Sequence, residues 1–445
     1  MERFDISIRN TLYRIIEDTA LHAAEYSSNP GHDFTRNRKL PLAHLVRALI
    51  AMEGNSLHKE LYDIFNHVAV ISGFITKSAF VQQRGKLKYE ALRRVLHEFN
   101  RRTGINDTER YDGYKLYAID GTDVNIAYNE DSDTYFHERN NSVTGRGFNQ
   151  FHVNALFDIT NSTFSDAIIQ PSPKVNEVDA ARQLVRNLDD NARRIFIMDR
   201  AYCSLDLFAT IRENPLADYI VRARSNFTTQ VKNLPDAECD FDAFFIITTR
   251  QTNENKEAIR KGLMKWLPGE STKGKDNKVI TWLHEDGYLM EFRVVKFQLD
   301  TGEWETLITS LDRKHFPIET LKEMYHLRWG IETSFRELKY AIGLTNFHAR
   351  KEESVKQEIY ARLIAYNFCS RVTNSVAVEP NDDCRWGYQV NFTMAVHICI
   401  CFLKSNTDID IREQIEQYLE PIRPGRSDER NIKPKSFIQF NYRVA

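Results

Sequence analysis

Residues 114–126, YKLYAIDGTDVNI, decide how this chain is read. Their apolar run predicts a strand that ends at Asp120-Gly121-Thr122. Two more strands are expected at 150–159 and 164–170, with Asn161-Ser162 turning between them. A helix follows over 176–188, NEVDAARQLVRNL, with Val178, Ala181, Leu184 and Leu188 inward. The short apolar strand Ile195-Phe196-Ile197-Met198 then runs straight into Asp199-Arg200. A helix at 204–213 and the strand Tyr219-Ile220-Val221 complete the unit. Three strands in meander followed by α/β crossovers predict an α/β (α+β mixed) fold, a mixed sheet covered by helices. Asp120 closes the first strand and Asp199 the fourth. Where those strands pair, two carboxylates meet at one edge of the sheet. Either Asp taken alone reads as an ordinary turn or cap residue.

Downstream, a long helix is expected from Pro317 to Gly343, PIETLKEMYHLRWGIETSFRELKYAIG. Tyr325, Arg328, Glu332 and Lys339 fall within about 60° of arc on one face of it. Such spacing ordinarily marks an apolar stripe, or a surface face of ion pairs. Trp329, Ile331, Phe335, Leu338 and Ile342 are expected to supply the buried surface beside it. Three clustered carboxylates repel one another unless a cation neutralises them. Oxygen-only ligands select hard ions, Mg²⁺ or Mn²⁺. Two such ions about 3.5–4 Å apart can hold the attacking and leaving oxygens of an in-line phosphoryl displacement. Arg328 and Lys339 suit backbone phosphates.

The pattern YHLRWGIETSFRELK, Tyr325 to Lys339, with AIDGT at Asp120 and MDRAY at Asp199, resembles the DDE transposases of bacterial insertion sequences, within the RNase H-like superfamily. It is most similar to the insertion-sequence-four branch, whose third acid sits in Tyr-x2-Arg-x3-Glu-x6-Lys. The 133-residue step from Asp199 to Glu332 fits that branch, which carries a β-strand insertion before its third acid. The resemblance covers roughly residues 30–440. It implies that Asp120, Asp199 and Glu332 are catalytic and bind two Mg²⁺ ions, with Mn²⁺ able to substitute. It also implies that Tyr325, Arg328, Lys339 and Arg200 bind DNA, and that Trp304 stacks a flipped base, with Trp282 a weaker rival. The implied function is cleavage at the ends of an insertion sequence and 3′-OH strand transfer into target DNA. The implied partners are double-stranded DNA and a second copy of the chain in a homodimeric synaptic complex. A metal nuclease without strand transfer and a catalytically silent DNA-binding relative are the alternatives.

Five segments are expected: a helical, DNA-binding domain over 1–110; the first part of the catalytic core over 111–224; a β-rich insertion over 225–312; the second part of the core, with the Glu332 helix, over 313–375; and a helical region with a basic tail over 376–445. In the insertion, Glu285-Asp286-Gly287 marks a hairpin between alternating runs. Asp123 is a rival to Asp120 as a ligand. His152 reads as a satisfied sheet histidine with a possible part at the site. His348 and Arg350 are expected near backbone phosphate.

Composition is compatible with this reading. The 445 residues are 42% hydrophobic and 27% charged, with a formal net charge of −2. Basic charge is local: residues 76–102 carry a net of +6 and residues 421–445 a net of +4. No apolar run suits a membrane span or signal peptide, so a cytoplasmic, nucleoid-associated protein is expected. Six scattered cysteines without a Cys-x-x-Cys pair suggest neither zinc ribbon nor disulfide framework. No Walker lysine motif or HExxH supports an ATPase or a zinc protease.

Overall fold

A computed structural model describes residues 3–36, 40–67, 75–104, 107, 110–136, 147–189, 191–248, 250–266, 287–378, 387–405, 407 and 409–422. Five helices come first: α1 (Phe4–Leu21), α2 (Leu42–Ala51), α3 (Leu57–His67), α4 (Lys77–Arg84) and α5 (Glu90–Thr103). Strand β1 (Lys115–Ile126), a short β2 (Tyr135–Phe136), β3 (Phe148–Asp158) and β4 (Thr163–Pro171) follow. Helix α6 (Glu177–Asn187), β5 (Arg194–Met198), α7 (Leu205–Arg212) and β6 (Ala217–Arg222) supply the crossovers. The strand and helix order expected from the sequence holds here with the short β2 added, but β1 does not end at Asp120-Gly121-Thr122: its pairing with β3 carries it on to Ile126.

Within one large sheet, β4 pairs with β3, β3 runs antiparallel to β1, and β1 and β6 flank β5, both parallel to it. The resulting order β4-β3-β1-β5-β6 is the RNase H-like arrangement: a three-stranded meander joined to two parallel strands. Side chains alternate across the sheet. Leu116 and Ala118 of β1 therefore enter the clusters beneath the C-terminal helices, while Tyr117 and Ile119 join Phe196, Met198 and Phe208 on the α6–α7 face.

The segment after β6 contains α8 (Thr229–Lys232), β7 (Cys239–Thr248), α9 (Asn253–Arg260), β8 (Met264–Trp266), β9 (Tyr288–Gln298) and β10 (Trp304–Thr309). Its strands continue the main sheet. β10 runs antiparallel to β6, pairing Leu307 with Arg222, and so covers an edge that β6 would otherwise leave open. The first strand and most of the turn of the hairpin expected at 279–299, Trp282, and the basic tail from residue 423 lie outside the described residues.

The helix expected from Pro317 to Gly343 is two helices, α10 (Ile318–His326) and α11 (Trp329–Tyr340). At the joint, Arg328 N–H bonds Tyr325 C=O at 3.1 Å and Gly330 N–H bonds Leu327 C=O at 2.9 Å. These i→i+3 bonds tighten the chain into a 3₁₀-like turn. The turn leaves Arg328 buried at 8% exposure and Trp329 outward at 55%, so Trp329 does not join the buried surface expected of it. Ile331, Phe335, Leu338 and Ile342 do.

The chain ends with α12 (Glu352–Asn374), β11 (Tyr388–Val390), α13 (Phe392–Lys404), α14 (Ile411–Glu416) and β12 (Leu419–Pro421). Helix α12 is buried on almost every side, as a helix at the centre of a fold must be. Its Asn367 accepts from Phe164 N–H and donates to Phe164 C=O, both at 2.8 Å, which pins β4. Leu12, Leu45 and Val95 of the N-terminal helices share one apolar cluster with Phe151, Ile331 and Leu363. Much of the basic charge in 76–102 is paired within the protein: Arg84 with Glu358, Arg93 with Asp166, Arg101 with Glu98, and Arg102 with both Glu98 and Asp18. Among the described residues, no helix is long and apolar enough to cross a membrane.

Candidate active site

The parallel pairing of β1 with β5 places Ile119 opposite Met198. Asp120 and Asp199 are the next residues on these neighbouring strands, where the β1–β5 ladder ends. Each follows the parity of its strand toward α10 and α11. Gly121 N–H donates to Asp120 Oδ1 at 2.8 Å, and Ala201 N–H donates to Asp199 Oδ1 at 2.7 Å. Both carboxylates are thus aimed by the backbone that follows them, a local bond that Asp forms readily; for Asp199 it caps the turn after β5, while Asp120 makes it within β1.

Arg328 ties the third acid to this edge. Its Nη2 lies 2.7 Å from Glu332 Oε1, and its Nη1 lies 3.6 Å from Asp120 Oδ2. Burial pushes the Asp120 carboxyl up to about 6; the Gly121 N–H and Arg328 oppose this, while Asp199 and Glu332 add to it. A carboxylate under that pressure is short of positive charge even with a guanidinium beside it. Among the described residues, no group of three or more His, Cys, Asp or Glu side chains stands ready to hold a metal ion. The Arg328 guanidinium instead bridges two of the three acids. The donor chemistry, three carboxylates with oxygen atoms only, fits a hard divalent cation. Closing all three on one would require Arg328 to yield its place.

The other expected residues are distributed around this centre. Tyr325 is buried, and burial pushes its phenol up to about 12. Arg200 is exposed beside Asp199, and its carbonyl accepts from Arg224 Nε at 2.8 Å. Lys339 is half-buried, which lowers its ammonium pKa against the opposing pull of Asp123. Trp304 opens β10, half-buried, with Lys296 Nζ 5.2 Å from its ring centre. Strand alternation turns the next residue, Glu305, toward the face that carries Tyr325. Burial raises the Glu305 carboxyl, with Arg222 and Arg328 opposing. Glu305 and Arg222 belong to the surroundings of the site and were not singled out from sequence. Their one signal was an acid set into an apolar strand.

Asp123 is not a rival ligand. It lies three residues beyond Asp120 on β1, so it faces the opposite side of the sheet, where its Oδ1 meets His152 Nδ1 at 2.8 Å. His348 is not placed to touch phosphate. Its side chain is 3% exposed, and its ring bonds Asn55 C=O at 2.9 Å.

An RNase H-like sheet with an acid on each of two adjacent central strands, side by side where their parallel pairing ends, and a third acid reaching them from a helix, defines the polynucleotidyl-transferase class. The comparisons make this specific. The Transposase DDE domain model matches residues 111–368. The transposase InsG for insertion sequence element IS4 of Escherichia coli K12 is 24% identical over 341 residues, covering 75% of this chain and 70% of the relative. The transposase for insertion sequence element IS421 of Escherichia coli is 35% identical over 74 residues, covering 16% of this chain and 20% of the relative. A piggyBac transposase synaptic complex with hairpin DNA aligns over 97% of this chain and 88% of that chain, with a TM-score of 0.47 and 10% identity. The chain belongs to the DDE transposase family, in its insertion-sequence-four branch. It is a DNA transposase, an enzyme of a family whose DDE domains use divalent metal ions.

Proposed function

We propose that Asp120, Asp199 and Glu332 together hold two Mg²⁺ ions, for which Mn²⁺ can substitute, and that the enzyme cuts at the ends of its element and joins the 3′-OH ends to target DNA. The observation that carries this reading is the placement of Asp120 and Asp199 as the next residues after a matched pair on adjacent parallel strands, with Glu332 tied to Asp120 through Arg328. When bound, the metal ions supply the charge that lets an oxygen nucleophile attack phosphorus and the leaving oxygen depart.

The chain's own residues do the rest. The N–H groups of Gly121 and Ala201 keep the two Asp carboxylates aimed at one point. The buried Arg328, released from the acids, would offer its charge to the scissile phosphate. Tyr325, Arg200 and Lys339 bind the flanking strand of double-stranded DNA, and Trp304 is the residue assigned to stack an unpaired base. Two copies act together on paired element ends in a homodimeric synaptic complex. The 1–110 segment is proposed to help bind the element ends. Its contact surface is smaller than its net charge suggests, because Arg84, Arg93, Arg101 and Arg102 are engaged internally.

The test is incubation of a supercoiled plasmid carrying the native element ends with Mg²⁺ or with chelator. Release of the element and appearance of joined products, both dependent on the metal, are expected. Cutting without joined products would reduce the enzyme to a nuclease. Binding without cutting under Mg²⁺ and Mn²⁺ alike would refute the catalytic reading.

A further inference from the structure

Behind Asp120, on the opposite face of the sheet, lies a second charged group that the reaction as described does not use. His152 of β3 stands across from Asp123 of β1 in the strand register. Its Nδ1 lies 2.8 Å from Asp123 Oδ1, and its Nε2 lies 3.3 Å from Glu177 Oε1 at the start of α6. The ring is 12% exposed. One side chain therefore joins β1, β3 and α6.

The ring also lies against the backbone of Gly121. A Cβ added at Gly121 would sit 2.2 Å from His152 Nε2 and 2.7 Å from Cε1, far inside any tolerable contact. Gly121 follows Asp120 directly, and its N–H is the donor that aims Asp120 Oδ1. A continuous path thus runs from the Asp123 and Glu177 carboxylates through the imidazole to the Cα of Gly121, and from its N–H to Asp120.

We propose that His152 is a positioning residue: wedged between Asp123 and Glu177 against Gly121, it fixes the part of β1 that aims the Asp120 carboxylate at the metal. The proposal rests on the reading of Asp120 as a metal-binding carboxylate. It gives His152 no contact with DNA or metal. Groups that orient a ligand from behind change metal affinity or activity by about 10–100-fold when removed.

The experiment uses the full chain and compares wild type, His152→Ala, His152→Gln, Gly121→Ala, the double variant Gly121→Ala/His152→Ala, and Asp120→Asn. Mn²⁺ binding by the DNA-free protein is measured by calorimetry, alongside element-end binding, cutting rate and melting temperature. His152→Ala is expected to weaken Mn²⁺ binding about 10–100-fold, with DNA affinity within about twofold of wild type. His152→Gln, which keeps a donor toward Asp123, is expected to recover part of the loss. If His152→Ala fails to fold, His152→Gln decides by the same Mn²⁺ measurement, and where His152→Ala folds the double variant reads the collision. Removing the ring should restore at least about tenfold of the cutting lost in Gly121→Ala, because the collision is relieved. Unchanged Mn²⁺ affinity in His152→Ala while Asp120→Asn abolishes binding would overturn the positioning role alone. A double variant no more active than Gly121→Ala would do the same. Unchanged Mn²⁺ binding and cutting in Asp120→Asn would overturn the reading of Asp120 and this proposal with it.

Discussion

Asp199→Asn is expected to lower cutting at the element ends by about a thousandfold, close to 4 kcal/mol of lost transition-state stabilisation. The substitution is nearly isosteric. Its side-chain oxygen can still accept the Ala201 N–H that Asp199 Oδ1 accepts at 2.7 Å, so the turn after β5 survives. What is lost is one full negative charge at the end of the sheet where Asp120 and Asp199 stand side by side. Affinity for element-end DNA should change little, because the contact proposed above rests on cations and aromatics elsewhere. Asp199→Ala should show the same catalytic loss and in addition about 1 kcal/mol of stability, the typical cost of a missing cap. Single-turnover nicking, filter binding and melting measure the three quantities separately. A loss of DNA affinity equal to the loss of cutting would mean that Asp199 holds the turn and not the chemistry.

The second large effect concerns stability. Glu358 of α12 is fully enclosed, with its Oε1 2.8 Å from Arg84 Nη1 and its Oε2 2.9 Å from the His348 N–H. Burial alone would raise its carboxyl, but Arg84 and the hydrogen bond from His348 outweigh that and hold it down to about 2. The side chain fastens α4 to α12 and to the turn that follows α11. Glu358→Gln strands a buried guanidinium, which is expected to cost about 3–5 kcal/mol. Replacing both partners together, Arg84→Met with Glu358→Leu, should recover most of it. Urea unfolding reads both. The folded carboxyl titrates below an unfolded one, so its contribution is complete above an unfolded value near 4.3. It falls away as pH drops from there through about 2. A loss under about 1 kcal/mol for Glu358→Gln would show that the site relaxes or hydrates when the charge is removed.

The core of the fold was legible because its strands advertise themselves. β5 is a short apolar run that stops at Asp199, β1 opens on an apolar run that reaches Asp120, and the meander of β3 and β4 turns at Asn161-Ser162. What sequence could not show depended on contacts between distant segments. Helical periodicity runs unbroken through Leu327 and Arg328. The tightened turn there goes with the approach of Arg328 to Asp120, some 200 residues away. The same turn reverses the exposure expected of Trp329. Nothing local in 225–312 says that β10 will pair with β6, so the continuity of this β-rich segment with the main sheet was not legible. The basic stretch at 76–102 looked free because its acidic partners Asp18, Asp166 and Glu358 lie in other elements. The approach of Glu332 to Asp120 was expected from motif and spacing; the guanidinium bridging them was not.

The most direct test compares the intact chain with Glu332→Ala on a supercoiled plasmid carrying the native element ends, with Mg²⁺, with Mn²⁺ and with chelator. Metal-dependent cutting and joined products with the intact chain, and neither with Glu332→Ala, are expected. Cutting that persists unchanged in Glu332→Ala would contradict the assignment of the third acid, and with it the three-carboxylate site.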